Sequence, residues 1–189
     1  MKAEGRGDAA ESLRGARPLE EPDVPGVIEL IGRCYAEYGL RLNLEDECEA
    51  HLSHLIEHFR APDDPVRRGG EFWVREDGSG VVRATAALAL ERSDAAVSGE
   101  LKSMYVDGPW RRMGIGRGLA ELVIREARGR GCDELVLWSD TRFTKAHAMY
   151  EALGFQRFGL RDIHDSNASK EWGYRLALER AARGLGPRV

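Results

Sequence analysis

A glycine-rich stretch that follows two arginines is the part of the sequence whose residue types point most directly to chemistry. Residues 106–119 read VDGPWRRMGIGRGL. Glycine lets backbone N–H groups approach an oxyanion closely, and the start of a following helix adds the positive end of its dipole. The stretch therefore predicts a cradle for a phosphate or pyrophosphate, although a bare Gly-x-Gly can also do no more than turn the chain.

Two common phosphate-binding loops do not fit these residues. The dinucleotide fingerprint needs a third small residue and a strand directly before it. Here Leu119 stands at the third small position, and a six-residue turn separates Val106 from Met113. The nucleoside-triphosphate loop needs a Lys-Ser or Lys-Thr pair, and none follows these glycines. The mismatches argue against a nicotinamide-dependent oxidoreductase and against a P-loop enzyme.

A second motif lies downstream of the cradle. Residues 111–116, RRMGIG, fit the pattern R/Q-x-x-G-x-G/A, and residues 146–155, AHAMYEALGF, fit A-x-x-x-Y-E-x-x-G-F. Together they resemble the GNAT superfamily of acetyl-CoA-dependent N-acetyltransferases, and the resemblance covers residues 100–158. It implies an α/β (α+β) fold, in which helices flank a mixed, mostly antiparallel central sheet whose strands splay at the cofactor site. The first hundred residues match only in the order of their elements.

The resemblance also implies roles for particular residues. Acetyl-CoA is the implied co-substrate, with its pantetheine arm along one strand and its pyrophosphate on the glycine-rich cradle. Tyr150 stands where the family places the phenol that donates a proton to the departing CoA thiolate; the alternative is a core tyrosine on an amphipathic helix. The implied cofactor-binding residues are Met104, Tyr105, Val106, Arg111, Arg112, Met113, Gly114, Ile115, Gly116, Arg117 and Ala146.

An amine must lose a proton to attack a thioester, so the site needs a base. Glu100 is the candidate, because it falls in the register where histone-type members of the superfamily carry a catalytic glutamate. The alternative is an exposed carboxylate at a strand end, and His164 is a weaker candidate for the base. Cys132 precedes a predicted buried strand, which favours direct transfer in a ternary complex over an acyl-cysteine intermediate.

Phe143 departs from the family pattern. Many members have an asparagine seven residues before the tyrosine, where its side chain helps to hold the cofactor. Asp140, Thr141 or Thr144 are candidates to replace that contact. Phe143 is also the one residue that favours the alternative function, a non-catalytic acyl-CoA-binding or sensing module.

Three histidines form a further pattern on the second predicted helix. His51, His54 and His58 project along one border of its apolar stripe, a spacing that resembles a metal site. A solvent boundary is the favoured interpretation, and no metal is predicted. A milder hypothesis is that these histidines, with Glu47 or Glu57, contact the acceptor.

The elements that must position these residues follow from hydrophobic periodicity. Helices come first, then an antiparallel meander, and then alternating strands and helices. Thr144 is the predicted N-cap of the last helix. The predicted helices cover residues 20–38, 44–59, 115–127 and 144–153, and the predicted strands cover residues 16–19, 71–76, 81–90, 97–106, 133–138, 155–160 and 172–178.

Composition sets the remaining expectations. The 189 residues carry 28 Lys and Arg against 32 Asp and Glu, a net charge of -4, which predicts one soluble domain at 16–189 after a flexible tail at 1–15. The acidic balance argues against nucleic acid as a partner, and no apolar run approaches the roughly 20 residues that span a bilayer. We therefore expect a cytoplasmic monomer or homodimer. The acidic residues at 45–49 slightly favour a cationic amine as acceptor.

Overall fold

A computed structural model describes residues 15–61, 64–65, 69–93 and 95–178. Nearly all of the predicted tail at 1–15 lies outside these ranges. The strands are β1 Ala16–Pro18, β2 Glu71–Glu76, β3 Val82–Arg92, β4 Val97–Val106, β5 Glu134–Asp140, β6 Gln156–Asp162 and β7 Lys170–Ala177. The α-helices are α1 Val24–Ala36, α2 Leu55–Arg60, α3 Ile115–Gly129 and α4 Thr144–Ala152, and short 3-10 helices lie at Glu21–Asp23, Ala50–His54 and Gly108–Trp110.

The strands form one sheet in the order β1-β2-β3-β4-β5-β7-β6. Neighbouring strands are antiparallel, except that β4 and β5 run parallel. This confirms the predicted mixed, mostly antiparallel sheet. The β4–β5 pairing ends at Glu100, which lies opposite Val136, so the two strands separate beyond that point. The predicted splay is therefore present, in the second half of β4.

A β-bulge in β4 lies just past the point of separation. Lys102 pairs with Ala87 and Tyr105 with Thr85, so two residues of β4 lie opposite one residue of β3. Ser103, inside the bulge, has a φ of 48°, and its carbonyl accepts a hydrogen bond of 2.8 Å from the Thr85 hydroxyl. A bulge bends its strand and increases the local twist. The bend accompanies the departure of β4 from β5.

The two faces of the sheet bury separate apolar clusters. Alternate residues of a strand point to opposite faces, and accordingly Leu88 packs with α3 and α4 whereas Ala87 packs with α1 and α2. The side chains of β4 beyond Leu101 are only half-buried, which is where the cavity described below opens. Among the helices in the described ranges, none is both long and apolar enough to cross a membrane.

The second predicted helix is shorter than its periodicity indicates. Residues 44–49 form turns, Ala50–His54 is a 3-10 helix, and only Leu55–Arg60 is α-helical. Polar side chains explain the difference, because Asn and Asp compete with the helix for hydrogen bonds. Asn43 Nδ2 donates to Asp46 at 3.0 Å, and the Ser166 hydroxyl donates to the same carboxylate at 2.7 Å.

The predicted boundaries of two other helices also shift. The first helix begins as a 3-10 turn at Glu21–Asp23 and becomes α-helical at Val24–Ala36. Thr144 is wrong as the N-cap of α4, because it is the first helical residue and Phe143 occupies the cap position. No side-chain hydrogen bond caps that end, so the usual sequence signal for a helix start is misleading here.

Candidate active site

The splay between β4 and β5 opens a cavity of about 580 Å³ that is bounded by α1, α3 and α4. Most of the predicted site residues come together in it, although they are far apart in sequence. Met113 does not belong to this lining; its side chain is 59% exposed. The predicted residues that line the cavity are Glu100, Met104, Tyr105, Val106, Arg111, Arg112, Gly114, Ile115, Gly116, Arg117, Ala146 and Tyr150.

The start of α3 has the backbone geometry that an anion cradle requires. Gly114 caps the helix with a φ of 76°, a left-handed conformation that favours glycine. The first intrahelical bond runs from Gly118 N to Gly114 O at 2.9 Å. The N–H groups of residues 115–117 precede that bond and have no acceptor within the helix. They supply backbone donors at the positive end of the helix dipole.

Gly116 lies where the cradle meets the rest of the cavity. A Cβ atom at this position would come within 3.5 Å of Val106 Cγ2 and within 3.7 Å of Met149 Sδ. These are ordinary van der Waals contacts, so one carbon fits. A longer side chain would have to extend between the end of β4 and α4, into space that lines the cavity.

The arginines around the cradle are held in different ways. Arg111 Nε donates to Val106 O at 2.8 Å, and its Nη2 donates to Glu37 at 2.9 Å, so this side chain ties the end of β4 to the segment after α1. Arg117 Nε donates to Glu121 at 2.9 Å, one turn along α3. Arg112 has a φ of 63° and lines the cavity directly.

Tyr150 lies on α4 and is 5% exposed. Its ring packs 5.9 Å from Phe155 and 6.0 Å from Tyr174, measured between centroids. Burial, with a smaller contribution from Tyr174, raises the pKa of its phenol above the ordinary value. The phenol is therefore protonated at neutral pH, as a proton donor must be.

Glu100 stands at the point where β4 and β5 separate. Its carboxylate is half-buried and lies 3.6 Å from Lys102 Nζ, which is on the same face of β4. His164, the weaker candidate for the base, is not among the described residues that line the cavity. Of the two candidates, Glu100 is the one that lines the same cavity as the cradle and Tyr150.

Glu49 is a cavity residue that the sequence alone did not single out. It immediately precedes the 3-10 helix at Ala50–His54. The Tyr35 hydroxyl donates a short hydrogen bond to its carboxylate, and the Tyr105 hydroxyl donates to Tyr35 at 3.3 Å. Burial is the main cause that raises the pKa of Glu49. Its only sequence signal was membership of an acidic run.

Phe143, which replaces the usual asparagine, forms part of an aromatic wall. Its ring lies 4.8 Å from Tyr38 and 6.3 Å from Tyr35. Asp140 also lines the cavity, but Arg142 holds it with two hydrogen bonds, of 2.6 and 2.7 Å, to its two carboxylate oxygens. The ion pair leaves Asp140 poorly suited to take over the contact of the missing asparagine.

Of the three histidines on the second predicted helix, His51 is the one that lines the main cavity. All three line a shallower neighbouring pocket, together with Glu57. His51 Nδ1 donates to Cys48 O at 3.0 Å, and its buried Nε2 has no hydrogen-bond partner among the described residues. Within the same ranges, no group of three His, Cys, Asp or Glu side chains is placed to hold a metal ion. The prediction that the protein needs no metal stays a prediction.

His51 makes the stability of the protein depend on pH. Burial, followed by the charges of Lys102 and His58, lowers the pKa of His51 from 6.5 to about 4. The unfolded chain therefore binds a proton more readily, and stability is lost as the pH falls from about 6.5 towards 4. Between pH 7 and pH 4.5, we expect the His51→Gln variant to lose less free energy of unfolding than the wild type does, by on the order of 1 kcal/mol. Denaturant unfolding at pH 7 and pH 4.5 measures it, with the exposed His54→Gln as control; an equal loss in both variants would contradict this assignment.

Comparison with solved structures identifies the fold. An acetyltransferase of the GNAT family from Staphylococcus aureus Mu50 superimposes with a TM-score of 0.71 at 21% identity, covering 87% of this chain and 98% of that one. A phosphinothricin acetyltransferase from Sinorhizobium meliloti, in complex with acetyl-CoA, gives 0.65 at 18% identity, covering 86% and 87%. The fold is that of the GNAT acetyltransferases.

Sequence comparison identifies the family. The profile of the acetyltransferase (GNAT) family matches residues 29–155, and the chain belongs to that family. N-acetyltransferase 8 of Homo sapiens is 33% identical over 93 residues, which are 49% of this chain and 41% of that protein. The chain thus matches less than half the length of this relative.

Proposed function

We propose that this chain transfers an acetyl group from acetyl-CoA to a primary amine, directly and within a ternary complex. The observation that carries the proposal is that one cavity joins the cradle at the start of α3 to Tyr150 and Glu100 at the splay. An anionic cofactor and a site for proton transfer are thus adjacent. Family membership supports the same reaction class.

The residues present fit the CoA portion of the co-substrate. The pyrophosphate would accept hydrogen bonds from the N–H groups of residues 115–117, and Arg112 and Arg117 would balance its charge. The backbone of residues 104–106 belongs to the part of β4 that has left β5. An extended pantetheine arm can pair with such a strand as an added strand does.

The positions of Tyr150 and Glu100 in the cavity support their proposed roles as acid and base. Glu100 takes a proton from the attacking amine, and the amine nitrogen then bonds to the acetyl carbonyl carbon as the C–S bond breaks. Tyr150 donates its proton to the sulfur that leaves. The nitrogen loses a second proton when the amide forms, and that proton restores the Tyr150 phenol. The first proton, held by Glu100, passes to water, so each turnover releases one proton.

The test is release of free thiol when the protein is mixed with acetyl-CoA and a panel of amines. The panel should hold small alkyl and aryl amines, amino acids, and peptides with free N-termini or lysines. We expect thiol release with at least one of them. Acetyl-CoA binding without thiol release across the panel would favour the alternative, an acyl-CoA-binding module.

Glu100→Gln should lower kcat about 100-fold, the lower end of what a positioned base contributes. The amide keeps the shape of the side chain but cannot take a proton. We expect the KM for acetyl-CoA to stay unchanged, and the fall in kcat to shrink when the assay pH is raised and more of the amine is already neutral. Glu91→Gln, exposed on the neighbouring strand β3, is the control. A kcat equal to that of the control would show that Glu100 is not the base.

Several expectations from the sequence stay predictions. They are the single domain at 16–189, the cytoplasmic location, the lack of nucleic-acid and membrane partners, and the monomeric or homodimeric state. The identity of the acceptor cannot be taken over from the structural neighbours, because the phosphinothricin acetyltransferase is similar to this chain in fold alone.

A further inference from the structure

The cavity is divided by charge. Its cradle end carries Arg111, Arg112 and Arg117, which suit an anion. At the other end, Glu171, Asp165 and Lys102 all lie close enough to Glu49 to act on its carboxylate electrostatically. We call the acidic end the set formed by Glu49 and the lining residues linked to it electrostatically or through an ion pair. It holds four carboxylates against two cations, an excess of two negative charges, and its members are Glu49, Glu100, Asp165, Glu171, Lys102 and Arg161. Asp140 and Lys145 also line the cavity, and their opposite charges leave the balance of the whole lining unchanged.

The two cations at the acidic end are already paired. Lys102 lies 3.6 Å from Glu100, and Arg161 lies 2.6 Å from Glu171. Glu49 forms no ion pair within the part of the chain that the structure describes; its hydrogen-bond donor is the neutral Tyr35 phenol. Glu49 is half-buried, and a carboxylate that is partly removed from water without a cation beside it is costly. A positively charged ligand would supply the missing partner.

Aromatic rings surround the same end of the cavity. The ring centroids of Tyr35 and Tyr105 lie 6.0 Å apart, edge to face. The ring of Phe143 packs against those of Tyr35 and Tyr38. Aromatic faces attract cations and also bury apolar surface. A ligand that fits here has a positive charge and an apolar body, and the excess of carboxylates repels an anionic group.

The segment that carries Glu49 is tied to the loop between β6 and β7. Arg41 N donates to Asn167 Oδ1 at 2.9 Å, and Asn167 Nδ2 donates back to Arg41 O at 2.8 Å. Ser166 adds its hydrogen bonds to Asp46. These contacts join residues 41–46 to the loop between β6 and β7. Glu49 is therefore held in place before a ligand arrives, as a preorganised subsite requires.

We propose that this end of the cavity is the acceptor subsite, and that Glu49 with its aromatic neighbours selects a cationic amine on an apolar or aromatic body with no carboxylate beside the amine. The proposal rests on the acetyltransferase function proposed above. Glu49 holds the ammonium group of the arriving acceptor, and Glu100 takes the proton. Glu49 is thus a specificity-determining residue, separate from the acid and base.

The test compares two amines of nearly the same body. Phenethylamine is a cation at neutral pH, and phenylalanine is the same molecule with a carboxylate beside the amine. Measured by thiol release from acetyl-CoA, kcat/KM should be at least about 100-fold higher for phenethylamine than for phenylalanine. This is the size of effect expected when one charged contact in a partly buried site is lost or becomes repulsive. Glu49→Gln should raise the KM for phenethylamine about 10-fold or more and leave the KM for acetyl-CoA unchanged.

Glu45→Gln is the matched control, because Glu45 is exposed in the same acidic run and does not belong to the described cavity lining. It should behave as the wild type does. Equal use of phenylalanine and phenethylamine by the wild type would overturn the proposal without any variant, and so would an unchanged KM in a folded Glu49→Gln protein. Should Glu49→Gln fail to fold, the wild-type comparison decides.

The outcomes separate this inference from the function on which it rests. Turnover of anionic amines in preference to phenethylamine leaves the acetyltransferase intact and rejects only the subsite. Acetyl-CoA binding without thiol release for any amine rejects the catalytic function, and the subsite with it.

Discussion

Tyr150→Phe is expected to lower kcat about 100-fold or more, and to leave the dissociation constant of acetyl-CoA within about twofold. The substitution removes one oxygen from a buried ring and keeps its packing against Phe155 and Tyr174. The thiolate then leaves without a proton donor. Steady-state thiol release measures kcat, and calorimetry measures acetyl-CoA binding.

Tyr174→Phe is the matched control for this result. Tyr174 is also buried, lies beside Tyr150, and accepts a hydrogen bond of 3.0 Å from Arg157, but it does not line the described cavity. We expect it to lower stability by about 1 kcal/mol, with kcat little changed. If both variants lost activity equally, the effect would come from packing and not from proton donation.

Gly116→Glu is expected to weaken acetyl-CoA binding at least about 100-fold. The Cβ atom of the new side chain already contacts Val106 and Met149, so the atoms beyond it take up space that lines the cavity. It also places a negative charge at the start of α3, where the proposal puts the pyrophosphate. Both the volume and the charge therefore oppose binding, and calorimetry with CoA measures the loss directly.

The control for this variant lies at the other end of the same helix. Gly129 ends α3, and a Cβ atom there meets nothing within 4 Å. Gly129→Glu adds the same group to the same helix, and we expect CoA affinity equal to that of the wild type. If the Gly116→Glu protein is folded by circular dichroism and still binds CoA with unchanged affinity, the start of α3 is not the pyrophosphate site.

The parts of the site that sequence brought together are local. Gly114 and Gly116 stand at a helix start, as predicted, because a left-handed cap and a helix start need only a few consecutive residues. Tyr150 shares one short segment with Ala146, and both line the cavity. Such patterns depend on spacing along the chain, so they can be interpreted without knowing what packs against them.

The errors and omissions arise where distant segments meet. The prediction of the second helix is wrong over residues 44–49, because Asp46 accepts a hydrogen bond from Ser166, which lies 120 residues further along the chain. Glu49 looked like one more acid in an exposed run, and only the packing of α1 against β4 brings Tyr35 and Tyr105 together beside it. No periodicity within either segment carries that information.

The sequence by itself determined the class of fold, the family resemblance, and the glycine-rich helix start and tyrosine that line one cavity. Those features follow from hydrophobic periodicity and from the conformational freedom of glycine, which are properties of short stretches. The tertiary structure decided which carboxylates face the cavity, that Phe143 joins an aromatic wall, and that Arg111 is held by Glu37. Burial and charge pairing depend on which segments come together, and that juxtaposition exists only in the folded chain.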